Sequence, residues 1–377
     1  MSSTFDVGLI GCGDISEAYL RLSPLFRGIT IVACADRNLK TAAARADEFN
    51  IEALSVADLL SRDHIDLVVN LTTPEAHYEV SKQILESGKH VYSEKPFVLS
   101  RESGAELMAL AAEQGLRIGS APDTFLGGAH QQARALIDEG AIGKVLSGTA
   151  HVMNFGMEHW HPNPDFFFKQ GAGPILDIGP YYITNLVQLI GPIKRVAGMS
   201  AIPSSTRTIS SEPREGETIT VETATTIHAV LEFHSGALIT LGASWDVWHN
   251  GHQSMELYGE TGTLYLPDPN FFGGELVLTD KDTLKAPMPP TDHPFAVPNE
   301  EHDEGMQSNY RVSGLADMAE SIAQNRPHRC SAELALHVVD VMTSILESSE
   351  SRQFIEIETT CTRPEALTSE QAAELLA

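Results

Sequence analysis

The chain has 377 residues, more than one compact hydrophobic core usually holds, so its length predicts two domains. Hydrophobic residues make up 42% of the sequence, which excludes a largely disordered protein. The formal net charge is -26, and because an acidic surface repels phosphate groups, it argues against binding to nucleic acid or to anionic membranes.

The first third of the chain alternates short apolar runs with longer helical patterns. Strands are predicted at residues 5–10, 30–35, 65–71, 90–93 and 116–120. Helices are predicted at residues 15–25, 40–49, 75–87 and 101–114. Buried strands separated by helices of this length are typical of a parallel sheet covered on both faces, so residues 1–125 are expected to form an α/β domain.

From residue 126 onward the pattern changes to long runs rich in Thr, Val, Ile and Leu. After a helix at 131–139, strands are predicted at 145–154, 218–233, 237–246, 253–258 and 263–266, and helices at 313–325 and 332–349. Short turns between these strands predict hairpins, so residues 126–377 are expected to form an α+β domain with a large, mostly antiparallel open sheet. The outer face of that sheet is expected to join copies of the chain into a homodimer or homotetramer. The proline-rich residues 286–299 are expected to be an exposed excursion.

The cysteines and the apolar runs both indicate the cellular compartment in which the protein is found. Cys12, Cys34, Cys330 and Cys361 lie far apart, which predicts neither a disulfide framework nor a zinc site. No apolar run approaches the roughly 20 residues of a membrane helix, and no leader pattern precedes the first strand. A cytoplasmic protein is therefore expected.

A glycine-rich turn follows the first predicted strand and opens a helix. Gly11 permits a tight turn, and Gly13 lets the backbone approach a pyrophosphate that the start of the helix, at Asp14 and Ile15, would bind. Ser16 replaces the usual third glycine and is still small enough for close packing. This turn predicts a dinucleotide site in a Rossmann fold.

The residues that end the second predicted strand indicate which dinucleotide is bound. Asp36 lies where a carboxylate accepts hydrogen bonds from the adenine ribose, and it would repel a 2′-phosphate. NAD is therefore the expected cofactor. NADP is the alternative, because the neighbouring Arg37 could pair with that phosphate.

Three further segments resemble one family, the glucose–fructose oxidoreductase, inositol dehydrogenase and MocA group. They are GKHVYSEKP at residues 88–96, LTTP at 71–74 followed by His77, and GPILDIG at 173–179. The resemblance implies a Rossmann domain followed by an open-sheet domain. It also implies cofactor contacts from a set of residues after the fourth and fifth strands, with Glu94 at the nicotinamide-side ribose: Leu71, Thr72, Thr73, His77, Glu94 and Lys95.

The expected chemistry is hydride transfer between a nicotinamide and a CH–OH or C=O carbon. Oxidation of a carbinol requires a group that accepts the hydroxyl proton and a positive charge that stabilises the alkoxide. Lys95, at the end of a strand, can supply the charge. By resemblance Asp177 and Tyr181 complete the catalytic set, although many members have histidine at the position of Tyr181. A phenol accepts that role near neutrality only beside a cation.

The substrate is expected to be a sugar, glycoside or cyclic polyol. His159, Trp160 and His161 combine hydrogen-bonding groups with an indole, which suits a sugar ring. Asp123 is a further loop candidate for substrate binding. A metal site at His159, His161 and Asp165 is not favoured, because the spacing fixes no third ligand.

The sequence therefore predicts an NAD(P)-dependent dehydrogenase. One alternative is a related enzyme that oxidises a glycoside transiently and eliminates its aglycone. The other is a cofactor-binding sensor protein without catalysis.

Overall fold

The computed structural model describes residues 4–282, 285–302 and 305–377, and these residues form two compact units. The first unit comprises Met1–Gly128, Asp292–Val339 and Pro364–Ala377, and the second comprises Ala129–Thr291 and Asp340–Arg363.

The N-terminal part of the first unit alternates strands and helices as expected. Its elements are β1 (Phe5–Ile10), α1 (Asp14–Leu22), β2 (Ile29–Ala35), α2 (Leu39–Phe49), β3 (Glu52–Leu54), α3 (Val56–Leu60), β4 (Ile65–Asn70), α4 (His77–Glu86), β5 (His90–Ser93), α5 (Arg101–Gln114) and β6 (Ile118–Ser120).

The six strands form one sheet in the order β3-β2-β1-β4-β5-β6, and every pair is parallel. Central strands such as β4 are buried on both faces, which is why they read as continuous apolar runs. Because the strands are parallel, their carboxyl ends meet at one edge of the sheet. This order and this edge are those of the Rossmann fold, as predicted.

The helix boundaries of this sheet follow local signals. The side chain of Asn38 accepts a hydrogen bond from the Lys40 amide and so caps the start of α2. Ser100 caps α5 in the same way, and Gly115, with φ of +66°, ends it. The boundaries of α5 agree with the sequence prediction because both signals are local.

The second unit is built on a large sheet and several helices. Its elements are α6 (Gly128–Asp138), β7 (Val145–Met153), α7 (Pro174–Asp177), α8 (Gly179–Ile190), β8 (Ile193–Ala201), β9 (Thr206–Thr208), β10 (Thr218–Thr220), β11 (Thr226–Phe233), β12 (Leu238–Ser244), β13 (Met255–Gly259), β14 (Gly262–Leu266), β15 (Val277–Asp280) and β16 (Ala286–Pro287).

The remaining elements belong to the C-terminal third. They are β17 (Glu300–His302), β18 (Gly305–Gln307), α9 (Ser313–Ala323), α10 (Ala332–Ser351), β19 (Ile355–Glu356) and α11 (Ser369–Leu375).

Nine strands form the sheet of the second unit, in the order β16-β15-β14-β13-β7-β12-β11-β8-β19. All neighbouring pairs in it are antiparallel except β7 and β12, which run parallel. The predicted mostly antiparallel sheet is therefore confirmed. The single strand predicted at 218–233 is wrong, because β10 pairs with β9 in a separate small sheet and only β11 joins the large one.

The predicted second domain of 126–377 requires correction. Residues Asp292–Val339 and Pro364–Ala377 pack with the N-terminal residues, not with the large sheet. The amide of Arg27 donates to the carbonyl of Leu375, and the amide of Ser120 donates to the carbonyl of Cys330. These long-range pairings have no local signal in the sequence.

The proline-rich residues 286–299 are also not a uniformly exposed excursion. His293 and Phe295 are buried, and the Phe295 ring stacks on Tyr310 with centroids 4.8 Å apart. In the part of the chain that the structure describes, no helix is both long enough and apolar enough to cross a membrane.

Candidate active site

The glycine turn after β1 leaves no room for a side chain at Gly11. Gly11 has φ of +102°, and a Cβ built there would lie 2.6 Å from the carbonyl carbon of Leu71. Its amide donates to the carbonyl of Ala35 at 2.9 Å. The ends of β1, β2 and β4 are therefore drawn together at this residue, which requires glycine on steric and conformational grounds.

Gly13 presents the opposite situation at the start of α1. A Cβ built there would meet no described atom within 4 Å, so the backbone on this side is open to an approaching group. Ser16 is buried and its hydroxyl donates to the carbonyl of Gly13 at 2.5 Å. The first turn of α1 has no side-chain cap, because its N-cap residue is Gly13. Asp14 is exposed and Ile15 half-buried in that turn. Uncapped amides and the helix dipole fit an anionic pyrophosphate.

Asp36 fastens the glycine turn from the end of β2. Its Oδ2 accepts a hydrogen bond from the Cys12 amide at 3.0 Å, and its Oδ1 accepts one from the Asn38 amide at 2.8 Å. Each carboxylate oxygen has a second lone pair, so Asp36 can still accept from a ribose hydroxyl. Arg37 beside it is exposed.

Arg45, on α2, is a cation near this turn that sequence reasoning missed. Its Nη2 donates to the carbonyl of Gly13 at 3.4 Å, and its Nη1 pairs with Glu48 at 2.7 Å. No local motif distinguishes Arg45 from other helix-surface arginines, so the sequence alone could not have identified it.

The loop after β4 is shaped by Asn70, which sequence reasoning also missed. Asn70 is buried, and its amide group donates to the carbonyl of His77 and to the hydroxyl of Ser81, both at 3.0 Å. Its Oδ1 accepts from the hydroxyl of Thr72 at 2.7 Å. Leu71 is buried and Thr73 exposed, so the loop presents Thr72 and Thr73 toward its outer side.

His77 joins two of the predicted cofactor loops. Its Nδ1 lies 2.7 Å from the carbonyl oxygen of Pro96, and its Nε2 lies 2.9 Å from that of Thr72. The ring is fully buried, and burial lowers the pKa of His77 below its ordinary value. Both ring nitrogens face protein carbonyls, which favours a positioning role for His77, and its contact with the cofactor stays a prediction.

Glu94, after β5, is a buried carboxylate with protein partners. Its Oε1 accepts from the Tyr19 hydroxyl at 3.0 Å and from Arg311 at 3.4 Å, and its Oε2 accepts from the Lys95 amide at 2.9 Å. Burial, followed by the charge of Glu94, raises the pKa of Tyr19. Tyr19 and Arg311 were missed by sequence reasoning, and Arg311 lies more than two hundred residues away in sequence.

Asp123 accepts hydrogen bonds at the start of a helix. It is buried, and its Oδ2 accepts from the Gly314 amide at 3.1 Å and from the Ser313 hydroxyl at 3.3 Å, at the start of α9. Burial raises the pKa of Asp123. These hydrogen bonds support a structural role as a helix cap, and the substrate contact of Asp123 stays a prediction.

Lys95 is half-buried and follows β5 directly, so it lies at the carboxyl-end edge of the sheet to which the glycine turn also belongs. The first unit thus brings together most of the predicted cofactor residues at one edge: Gly11, Gly13, Asp36, Leu71, Thr72, Thr73, Glu94 and Lys95.

In the second unit, Asp177 and Tyr181 lie on successive helices. Asp177 ends α7, and Tyr181 is in the first turn of α8, where its amide donates to the carbonyl of Ile178 at 3.1 Å. Asp177 is half-buried and Tyr181 is buried. The neighbouring Tyr182 is buried against Asp268, and burial raises its pKa.

The loop after β7 holds the predicted substrate residues His159, Trp160 and His161. His159 Nδ1 lies 2.7 Å from the hydroxyl oxygen of Ser210, and His161 Nδ1 accepts from the Asn163 amide at 3.0 Å. Trp160 is 62% exposed. Asp165 instead pairs with Arg214, which lowers the pKa of that carboxyl, so these histidines and Asp165 do not form a ligand set.

The parallel sheet, its open glycine turn and Asp36 define a dinucleotide-binding protein with a second, separate α+β unit. Residues 5–121 match the model of the oxidoreductase family with an NAD-binding Rossmann fold, and residues 130–265 match the GFO/IDH/MocA C-terminal domain. The chain belongs to the Gfo/Idh/MocA family of oxidoreductases, and its Rossmann domain binds NAD.

Curated relatives include sugar-nucleotide and glucoside enzymes. A dTDP-3,4-didehydro-2,6-dideoxy-alpha-D-glucose 3-reductase of Saccharopolyspora spinosa is 29% identical over 68% of this chain and 73% of its own length. The D-glucoside 3-dehydrogenase of Escherichia coli is 26% identical over 65% of this chain and 71% of its own length. Alignments with an uncharacterized oxidoreductase of Schizosaccharomyces pombe and an Actinomadura kijaniata 3-reductase span only 40% and 53% of those relatives.

Solved structures share the fold over nearly the whole chain. Levoglucosan dehydrogenase in complex with NADH and L-sorbose has a TM-score of 0.80 at 18% identity, covering 95% of this chain and 100% of that one. An NAD binding oxidoreductase from Klebsiella pneumoniae has a TM-score of 0.79 at 21% identity, covering 94% and 99%.

Proposed function

We propose that this protein is an NAD-dependent dehydrogenase that acts on a CH–OH group of a sugar, glycoside or cyclic polyol, or on the corresponding ketone. The observation that carries the proposal is the position of Lys95 at the carboxyl end of β5, on the edge of the sheet that also holds the open glycine turn. The relatives from Saccharopolyspora spinosa and Escherichia coli are named as a sugar-nucleotide 3-reductase and a D-glucoside 3-dehydrogenase, which supports the substrate class.

The nicotinamide supplies a hydride acceptor or donor when the cofactor is bound. Lys95 would stabilise the developing alkoxide on the carbinol oxygen, while Tyr181 takes the hydroxyl proton and Asp177 orients the phenol or a substrate hydroxyl. Glu94 would hold the backbone at Lys95, because its carboxylate accepts from the Lys95 backbone amide. Gly11, Gly13, Asp36 and the loop of Leu71–Thr73 would hold the dinucleotide.

The preference for NAD over NADP rests on Asp36 within this proposal. Its carboxylate is fixed by hydrogen bonds from two backbone amides and would repel a 2′-phosphate. The side chain of Arg37, which could attract that phosphate, is exposed. We therefore expect NAD to be used with a higher kcat/KM than NADP.

A substrate screen tests the proposed activity. Monosaccharides, methyl glycosides and inositols are incubated with NAD or NADP, and the absorbance of the reduced cofactor is followed. Oxidation of at least one sugar or polyol with NAD is expected. If purified protein that binds NAD reduces it with none of these substrates, and oxidises NADH with none of the corresponding ketones, the proposal is wrong.

We further propose that copies of the chain associate through the outer face of the nine-stranded sheet. Met199 is 80% exposed there, and Val230 and Leu238 are exposed on the same face, as the pairing register of β8, β11 and β12 requires. Exposed apolar side chains on one sheet face favour a symmetric partner. Sedimentation of wild type and Val230→Arg tests this: the variant should sediment as a smaller species.

The cytoplasm is the proposed compartment, and nucleic acid is not a proposed partner. Cys12, Cys34 and Cys330 are buried free thiols, which is consistent with a reducing compartment. The net charge of -26 opposes binding to phosphate backbones. A fluorescent fusion that localises outside the cytoplasm would contradict the first statement.

A further inference from the structure

Two aromatic side chains of the second unit form an exposed parallel pair. The rings of Phe155 and Trp248 lie with centroids 5.5 Å apart and planes 6° from parallel. His159 contacts both rings, at 5.1 Å from Phe155 and 5.2 Å from Trp248. Trp248 is 67% exposed and Phe155 39% exposed, so much of the indole is open to solvent although it stacks on Phe155. We call Phe155, His159 and Trp248 the aromatic shelf.

The shelf exists because β7 and β12 are neighbouring parallel strands. Their carboxyl ends therefore meet at one edge, and the loops that follow them carry Phe155 and Trp248. The amide of Val247 donates to the carbonyl of Asn154 at 3.0 Å and so fastens one loop to the other. The two rings are consequently held by backbone contacts as well as by their own stacking.

A buried ionic frame fixes the base of the shelf. Glu158 is buried, and its Oε1 accepts from Arg207 at 2.9 Å and lies 3.5 Å from Nε2 of His159. Arg207 also pairs with Asp246, which in turn accepts from the hydroxyls of Thr225 and Thr226. A buried charge pair is stable only when its geometry is well defined, so Glu158 and Arg207 form a rigid base. His159 contacts this base through Glu158 and is held against the exposed rings.

Near the shelf, Glu158 has one carboxylate oxygen without a hydrogen-bond donor in the part of the chain that the structure describes. It is 2% exposed, and its Oε2 has no hydrogen-bond partner among the described residues. A Cβ at Gly156, which has φ of +101°, would collide with that oxygen, so the loop can pass over the carboxylate only with glycine there. The loop sequence thus accommodates a buried carboxylate next to stacked rings.

We propose that the aromatic shelf is a carbohydrate subsite, in which the open face of Trp248 stacks on the C–H face of a pyranose ring of the substrate. This inference rests on the proposed function and names Trp248 and Phe155 as residues that determine its specificity. Because the indole is already held in place, little side-chain entropy is lost when a ligand binds to it. Sugar rings present an apolar C–H face of similar size to the indole.

The size of the shelf favours a sugar over a protein partner. A stable protein interface covers roughly 800 Å² on each partner, far more than one indole and one phenyl ring supply. The loop that carries Trp248 also exposes the polar residues His249, Asn250 and His252. A small ligand with an apolar face and polar edges matches this surface.

The test compares Trp248→Ala, Trp248→Phe and Phe354→Ala with wild type. Phe354 is an exposed aromatic of the same unit that is not part of the shelf, so it controls for loss of a surface ring. For the best substrate of the screen, Trp248→Ala should raise KM about tenfold with kcat nearly unchanged, because stacking contributes equally to ground and transition states. Trp248→Phe should restore most of the affinity, and Phe354→Ala should match wild type.

A binding measurement separates this inference from the proposed activity. Saturation-transfer-difference NMR with methyl β-D-glucopyranoside, methyl β-D-galactopyranoside and myo-inositol, in the presence of NAD, reports ring contacts without turnover. Contacts that Trp248→Ala removes support the shelf even if no sugar is oxidised, in which case only the proposed function fails. If sugars are oxidised and Trp248→Ala leaves KM unchanged, the shelf is wrong and the activity stands. A variant that changes sedimentation but not sugar affinity also overturns the shelf, because the rings then contact another copy of the chain.

Discussion

The imidazole of His77 lies 2.7 Å from the carbonyl oxygen of Pro96 and so ties the loop after β4 to the segment that carries Glu94 and Lys95. Its other ring nitrogen faces the carbonyl of Thr72. Since burial favours the neutral ring, which has one N–H, His77 donates to one carbonyl at a time.

Replacing His77 should therefore loosen both loops. His77→Ala is expected to weaken NAD binding about tenfold and to lower the free energy of unfolding by about 1–3 kcal/mol, because buried carbonyls lose their donor. Isothermal titration with NAD and denaturant unfolding measure the two effects. His64→Ala, at an exposed position of the same unit, is the control and should match wild type. Unchanged NAD affinity in His77→Ala would contradict the positioning role.

Lys95 and Tyr181 should be needed for turnover. Lys95→Met and Tyr181→Phe are each expected to lower kcat by about 10²–10⁴, since general acid–base and electrostatic groups contribute on that scale. Steady-state kinetics on the substrate found in the screen measure the loss. Lys82→Met removes a surface ammonium that pairs with Glu106 and should leave kcat unchanged. Full activity of Tyr181→Phe would remove the phenol from the proposed chemistry.

Gly11 and Gly28 form a matched pair for testing the glycine turn. Both have positive φ, +102° and +78°, but a Cβ at Gly28 meets open space whereas a Cβ at Gly11 meets the backbone of Leu71. Gly28→Ala should cost only the roughly 1–2 kcal/mol of the left-handed conformation. Gly11→Ala should cost more and should also abolish detectable NAD binding, as thermal unfolding and titration would show. Equal effects of the two substitutions would mean that the close approach at Leu71 is unimportant.

His130 should make stability depend on pH. Its Nε2 lies 2.8 Å from the carbonyl of Phe271, and its Nδ1 accepts from the amide group of Asn185 at 3.2 Å, so the neutral ring satisfies both partners. Burial lowers the pKa of His130 to about 4. The unfolded chain takes up a proton below its ordinary pKa of roughly 6.5, whereas the folded chain does so only near its lowered value.

The sign follows from this difference. His130 contributes stability above pH of about 6.5, and that contribution should fall by up to about 3 kcal/mol as the pH is lowered toward the folded pKa. The free energy of unfolding of wild type and His130→Gln, measured across this range, should converge at the acid end. His234→Gln, at an exposed position, should keep the wild-type slope. Parallel curves for wild type and His130→Gln would contradict the prediction.

Local signals account for what could be predicted from the sequence. Gly11, Gly13 and Asp36 lie within one strand–turn–helix segment and its following strand, so their spacing was enough to predict a dinucleotide-binding Rossmann domain. The cap at Ser100 and the end at Gly115 fixed α5 for the same reason.

Long-range pairings account for what could not be predicted. Asp123 is a polar loop residue in the sequence, and only the return of Gly314 to its side reveals a helix cap. Phe155 and Trp248 meet because β7 and β12 run parallel, whereas the short turns suggested hairpins alone. Nothing near Arg311 in the sequence indicates Glu94 as its partner.

Residues Asp292–Val339 and Pro364–Ala377 pack with the N-terminal residues. This packing affects the order in which the first unit folds during translation. During translation, the ion pair between Glu94 and Arg311 cannot form until Arg311 has been synthesised. The hydrogen bond from the Arg27 amide to the carbonyl of Leu375 forms only after the C-terminal residues have left the ribosome. The N-terminal strands and helices therefore emerge long before the segments that complete their packing, and the apolar surface that those segments cover stays exposed until then.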